Sequence, residues 1–237
     1  MPSSLSNDLA SVAGSPIQTA GGSISGQLRI TEIFYSIQGE SSRVGLPTVF
    51  VRLTGCPLRC GYCDTAYAFS GGRSMSLDSI LAEVAGYPTR YVTVTGGEPM
   101  AQKECQSLLR ALCDIGYEVS LETGGALDVS AVDPRVLKVL DIKTPASGEM
   151  DKNLWSNLET LHGHDEIKFV LCDEADYAWS RQVLLERDLA SRCTVLLSPA
   201  HGQLSPAILA DWILRDGLPV RLQVQMHKLL WGGQPGK

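Results

Sequence analysis

The chemistry-bearing residues of this chain concentrate in one short stretch, Leu53-Thr54-Gly55-Cys56-Pro57-Leu58-Arg59-Cys60-Gly61-Tyr62-Cys63-Asp64-Thr65. Three of the seven cysteines lie in it, at the spacing C-x3-C-x2-C. A structural zinc site takes four ligands, usually as two separated pairs, and no clean fourth ligand accompanies these three. Three thiolates on one loop can instead hold three irons of a four-iron cubane. The last iron then stays open to a small molecule, whereas an electron-transfer cluster takes four protein thiolates. A zinc site or a redox switch is the alternative that the residues alone leave open.

These residues need elements to position them. Leu28–Ile37 carries the β-formers Ile30, Ile33, Phe34, Tyr35 and Ile37 and predicts a strand ending in the polar turn Gln38-Gly39-Glu40. Thr48–Leu53 predicts a second strand that runs straight into the cysteine loop, with Arg52 among apolar neighbours. Ser76–Tyr87 reads as a helix, with Ser76 as N-cap and Leu77, Ile80, Leu81 and Val84 at the helical period. Tyr91–Thr95 is a strand closed by Gly96-Gly97-Glu98-Pro99. A helix over about Ala101–Ile115 follows, with Gly116 just beyond its end. Further strands are expected at Tyr117–Glu122, Val136–Ile142, Ile167–Cys172, Thr194–Leu197 and Pro219–Gln225, the last ending at His227. Helices are expected at about Glu174–Leu189 and from Ser205-Pro206 to Arg215.

Alternating strands and returns predict a parallel sheet with right-handed crossovers. Seven strands from Thr48 to Gln225 are too few for a closed eightfold barrel. The expected fold is therefore α/β, a partial, open (β/α) barrel with Leu28–Ile37 as an added N-terminal strand. The site of such a barrel forms at the C-terminal strand ends. The cysteine loop, Gly96–Pro99, Glu122–Gly125, Asp141–Lys143, Ser198-Pro199 and His227 all fall there, so one cavity should gather them. Gly96-Gly97 allows backbone to approach a ligand, although a tight turn explains two glycines as well.

Composition narrows the class. A net charge of −6 gives no basic field for nucleic acid. No apolar run reaches the length of a membrane span. Residues 1–26, rich in Ser, Gly and Ala, lack the apolar segment of a secretory signal and read as a flexible tail with a short helical stretch around Leu5–Val12. Residues 27–237 read as one domain. An odd count of cysteines, three of them clustered, argues for a reducing, cytoplasmic setting over a disulfide framework. Cys105, Cys113, Cys172 and Cys193 lie in apolar segments and read as small buried hydrophobes.

The cysteine spacing, taken with Gly96–Pro99, resembles the radical S-adenosylmethionine (SAM) superfamily, in which the open iron binds the amino and carboxylate groups of SAM. Five segments narrow the resemblance: Phe34–Glu40, Val51–Cys56, Cys63–Thr65, Leu121–Gly124 and Gln225–Lys228. Over about residues 28–231 they are similar to the 7-carboxy-7-deazaguanine synthase family. That resemblance implies conversion of 6-carboxy-5,6,7,8-tetrahydropterin to 7-carboxy-7-deazaguanine with loss of ammonia, on the way to queuosine and other 7-deazapurines. It implies a [4Fe-4S] cluster on Cys56, Cys60 and Cys63, with SAM as the source of the radical and Mg2+ at Thr65. For SAM it implies Tyr62, Gly97, Glu98, Glu122, Asp141, Lys143 and Ser198. For the substrate it implies Ile37, Gln38, Gly39, Glu40, Thr95 and His227, with Arg52 as a planar fork for the carboxylate. The radical is carried by the cofactor, so no catalytic side chain is implied. A homodimer and a reducing partner such as flavodoxin or ferredoxin are implied as well. The cysteine loop departs from members with a long insert between the first two cysteines, which bears on the shape of the magnesium side.

Three rival readings set the tests. A radical SAM activase shares the cysteine spacing but predicts an open peptide groove and no carboxylate-binding arginine beside the cluster. A zinc-bound or redox-sensing interaction protein predicts a fourth ligand. A nucleic-acid binder predicts a basic cluster that the sequence lacks.

Overall fold

Along the central strands apolar residues alternate with polar ones, and successive side chains of a strand point to opposite faces. Each strand therefore has one face to bury in a core and one to turn towards a polar cavity. A computed structural model, which describes residues 25–232, 234 and 236, shows this division. In β2 (Pro47–Leu53) Val49, Val51 and Leu53 enter the core. In β4 (Tyr91–Gly96) and β5 (Glu118–Thr123), Val92, Val94, Val119 and Leu121 do so. In β6 (Leu137–Ile142), β7 (Glu166–Leu171) and β8 (Thr194–Pro199), a second core takes Leu140, Ile142, Ile167, Phe169, Leu171, Val195 and Leu197. The intervening residues Arg52, Thr95, Glu122, Asp141 and Lys168 face the cavity on the other side.

Among the described residues nine strands form one sheet, in the order β3 (Arg73–Ser76), β1 (Gln27–Ile37), β2, β4, β5, β6, β7, β8 and β9 (Arg221–Leu222). From β2 to β9 all neighbours are parallel. β1 is antiparallel to both β2 and β3. β3 and β9 form the two edges, so the sheet is an open partial barrel, as expected. Ser76 caps α1 (Leu77–Val84) by accepting from Ser79 N at 3.2 Å. α2 (Cys105–Asp114) packs Leu108, Leu109 and Leu112 into the first core. α3 (Glu174–Glu186), α4 (Leu189–Arg192) and α5 (Pro206–Asp216) cover the second. No helix among the described residues is long and apolar enough to cross a membrane.

Several boundaries differ from the sequence expectations. The helix expected from Ala101 starts at Cys105, because Pro99–Ala101 first makes a 3-10 turn capped by the Glu98 side chain. The helix expected to reach Leu189 breaks where Asp188 adopts φ 48°, dividing α3 from α4. β3 was not foreseen; Arg73–Ser76 is short and polar and offers no apolar alternation to read. The last strand has two paired residues, and His227 lies in α6 (Met226–Trp231), not at a strand end. The chain leaves the sheet there because Gln225 bonds Glu40 and Met226 N donates to Gly39 O at 3.0 Å, which draws the segment across the cavity mouth. The helix expected at Leu5–Val12 lies outside the described residues.

Candidate active site

The inward side chains and the loops at the C-terminal strand ends enclose a cavity of about 490 Å³. Cys56, Cys60 and Cys63 all line it as free thiols. Their loop has no regular structure of its own and is fixed from several sides. Gly55 N donates to Ala68 O at 2.8 Å, Gly61 N to Ser147 O at 3.0 Å and Cys63 N to Cys60 O at 3.1 Å. Arg59 N donates to Glu149 Oε1 at 2.6 Å, and the Arg59 guanidinium lies 4.3 Å from the centre of the Phe69 ring. Among the described residues no three His, Cys, Asp or Glu converge tightly enough to hold a single metal ion. Three cysteines lining one cavity can hold three irons of a four-iron cluster and leave the fourth open to a small molecule. Burial raises the thiols of Cys56 and Cys60, the latter to about 11, so a cationic centre is needed to draw out their thiolates.

The glycine pair after β4 brings two loops into contact. A Cβ on Gly97 would lie 2.6 Å from the Gly55 carbonyl carbon and 3.0 Å from Cys56 Cβ. Gly97 N donates to Leu53 O at 3.1 Å and Glu98 N to Gly55 O at 2.7 Å, so the loop is laced to the cysteine stretch. Glu98 is fully buried. Its carboxylate accepts from Met100 N at 3.0 Å, Thr123 Oγ1 at 2.8 Å and Gly124 N at 2.7 Å. Burial raises its pKa, and these donors offset part of that rise.

A polar row crosses the inner face. Gln38 Nε2 donates to Thr93 Oγ1 at 3.1 Å and to Glu122 Oε1 at 3.3 Å, and Thr95 Oγ1 donates to Glu122 Oε2 at 3.1 Å. Lys168 Nζ stands 2.7 Å from Glu40 Oε2 and 3.4 Å from Asp141 Oδ2, and Lys143 Nζ stands 3.0 Å from Asp141 Oδ1. Lys143 also lies 5.9 Å from the centre of the Tyr62 ring. The Tyr62 hydroxyl is buried without a hydrogen-bond partner among the described residues, and Tyr62 is one of the residues that line the cavity. A buried orphan of this kind fits a cavity built to receive a polar ligand.

At the β2 end of this row, in register beside Thr95, Arg52 Nε donates to Glu32 Oε1 at 2.7 Å, and the same oxygen accepts from Tyr67 OH at 2.8 Å. The guanidinium lies between the rings of Phe34 and Tyr67, at 5.7 and 5.8 Å from their centres. One edge is thus anchored, and its terminal amino groups make no further hydrogen bond among the described residues. Thr65 Oγ1 donates to Asp64 Oδ1 at 2.8 Å, and Asp64 Oδ2 pairs with Lys228 Nζ at 3.1 Å. Burial would raise Asp64, but Lys228, Thr65 and His227 together lower it. A Cβ on Gly39 would lie 2.9 Å from His227 N and nearer still to the imidazole, so only glycine lets α6 settle on this turn.

All the residues expected for the cluster, magnesium, SAM and substrate line this one cavity, except Ser198. Ser198 is 1% exposed within β8, and the cavity meets only the loop beyond that strand, at Ala200 and His201. Glu122, expected beside SAM, instead shares hydrogen bonds with the expected substrate residues Gln38 and Thr95. Lys168, Asp64, Gln225 and Lys228 also line the cavity and were not foreseen. Lys168 had a signal: a lysine between Ile167 and Phe169 in an apolar strand must sit on the face away from the core.

Residues 50–141 match the family model of the Radical SAM superfamily. The chain is 47% identical over 207 residues to the 7-carboxy-7-deazaguanine synthase of Chlorobaculum tepidum, covering 86% of this chain and 94% of that protein. It is 44% identical over 219 residues to the 7-carboxy-7-deazaguanine synthase of Koribacter versatilis, covering 86% of this chain and 97% of that one. Among solved structures it resembles QueE from Escherichia coli, with a TM-score of 0.72 over 85% of this chain and 95% of that one. At 24% identity this is a likeness of fold.

Proposed function

The chain belongs to the 7-carboxy-7-deazaguanine synthase family of the radical SAM superfamily, and from that premise we propose how its cavity divides the work. It is an enzyme of 7-deazapurine biosynthesis. Its substrate in this reading is 6-carboxy-5,6,7,8-tetrahydropterin, and its products are 7-carboxy-7-deazaguanine and ammonia. The observation that carries the reading is one cavity lined both by the three cysteines and by a charged polar row that Arg52 extends beside Thr95.

Cys56, Cys60 and Cys63 would hold the [4Fe-4S] cluster. With SAM bound, that group supplies the one-electron chemistry of the reaction. Tyr62, Asp141 and Lys143 form the SAM side: an unpartnered hydroxyl, an acceptor and a donor. Gly97 shapes this side by close approach, and Glu98 holds the loop in place through its three donors. On the other side Gln38, Glu40, Glu122 and Thr95 receive the amide–amine edge of the pterin, with Ile37 and Gly39 as backbone contacts. Arg52 takes the carboxylate with its unengaged edge, and His227 closes the mouth. Ser198 supports the strand from within and is left out of the contacts.

Magnesium fits as a partial shell only. Thr65 supplies one hydroxyl, and Mg2+ routinely keeps waters and substrate oxygens as its remaining ligands. Chelation with EDTA should then lower turnover while leaving the iron content of the protein intact. An external one-electron donor of the flavodoxin or ferredoxin kind and a homodimeric state complete the reading, with residues 27–237 as the working unit.

The test is an anaerobic assay of the cluster-loaded protein with 6-carboxytetrahydropterin, SAM, reductant and Mg2+, read by mass spectrometry. A product with the mass of 7-carboxy-7-deazaguanine supports the reading. Cleavage of SAM with the pterin unchanged contradicts it.

A further inference from the structure

Lys168 has no place among the ligand contacts above, yet it is held at the centre of the polar row. β7 fixes it: Ile167 and Phe169 on either side are fully buried in the second core, which leaves Lys168 the inner face. Its ammonium lies 2.7 Å from Glu40 Oε2 and 3.4 Å from Asp141 Oδ2. The other Glu40 oxygen accepts from Gln225 Nε2 at 2.8 Å, and Glu40 N donates to Gln38 Oε1 at 3.2 Å. Each carboxylate oxygen thus has one protein donor and keeps acceptor capacity for a ligand. A buried carboxylate without its cation would take up a proton or swing away, and in either case the acceptor would be lost. Burial alone would raise Glu40; Lys168, helped by Gln225 and His227, brings it below its ordinary value.

We infer that Lys168 is a positioning residue for the substrate: bonded to Glu40 and braced by Asp141, it keeps Glu40 an oriented, charged acceptor for the N–H donors of a pterin-like heterocycle. This rests on the reading that Glu40 faces the substrate. It gives Lys168 no contact with the substrate carboxylate, which stays with Arg52.

A double-mutant cycle tests it. Cluster-loaded wild type, K168M, K168R, E40Q and the double variant K168M/E40Q are titrated anaerobically in a calorimeter, with SAM alone and with 6-carboxytetrahydropterin in the presence of SAM. K168M should weaken pterin binding about 10- to 100-fold, the range for a lost charged hydrogen bond, and change SAM binding less than about 3-fold, because Asp141 keeps Lys143, its nearer cation at 3.0 Å, when Lys168 is lost. K168R should recover most of the loss. In the E40Q background K168M should add less than about 3-fold, since the charge to be held is gone. If K168M alone fails to fold, K168Q and K168Q/E40Q take its place in the cycle, because the amide still gives Glu40 a hydrogen-bond donor without the charge.

Additive penalties would overturn the inference, as would equal losses for SAM and pterin or wild-type affinity in K168M. Wild-type protein that binds SAM but not the pterin would overturn the substrate reading and this inference with it. Wild type that binds while the cycle is additive would overturn the inference alone.

Discussion

At Arg52 the guanidinium is divided between two tasks. Nε is committed to Glu32, and two aromatic rings flank the plane, so the free edge is held in one orientation. Arg52→Ala should therefore weaken pterin binding by about 1.5–3 kcal/mol and leave SAM binding nearly unchanged; calorimetric titration of each ligand checks the split. Cys60→Ala should abolish both iron retention and SAM cleavage, read by iron content and by methionine release, because a cluster with two thiolates is poorly held. His227 sets a pH dependence. Burial lowers its pKa from the ordinary 6.5. Between the folded and unfolded values the unfolded chain binds a proton that the folded chain does not, so stability falls as pH drops through about 6.5 and levels off below the folded value. Asp64, also lowered, contributes stability that is lost only at more acidic pH, as pH falls through its folded value. Between about pH 7.5 and 5.5 the urea midpoint of the wild type should thus fall relative to that of His227→Asn.

At the scale of elements, the glycine pair and α6 hold the site together. Gly97→Ala would drive a methyl into Gly55 and Cys56. The expected result is a folded protein, by circular dichroism, that retains less than half of the wild-type iron, roughly the effect of a loop displaced by about an ångström. Iron retained at the wild-type level would mean that the glycines serve the ligand alone. The sequence pointed to the pair and left open whether a tight turn or a close approach required it. The contact that decides is with a loop some forty residues earlier, which no local pattern shows. α6 was misread for the same reason. Pro219–Gln225 has β-forming residues, but the pull of Glu40 on Gln225 and of Gly39 on Met226 is tertiary. By contrast the N-cap at Ser76 was legible, because its partner Ser79 lies one turn away.

Across the whole molecule the legible feature is alternation. Odd-numbered apolar residues in β5, β7 and β8 go outward to the helices, and the residues between them go inward. This gave the open parallel barrel and the convergence of distant motifs on one cavity. It also exposes what was passed over: Lys168 obeys the same parity, and its partner Glu40 lies 128 positions away. Ser198 shows the limit, since inward parity in β8 does not bring a side chain to the cavity surface. The molecule is organised around three cysteines that share a cavity with the polar row. The direct measurement is the metal content and electron paramagnetic resonance of anaerobically purified protein. About four irons and four sulfides per chain, with a reduced-state spectrum that changes when SAM is added, are what this arrangement predicts. One zinc per chain, or an iron signal indifferent to SAM, would contradict it.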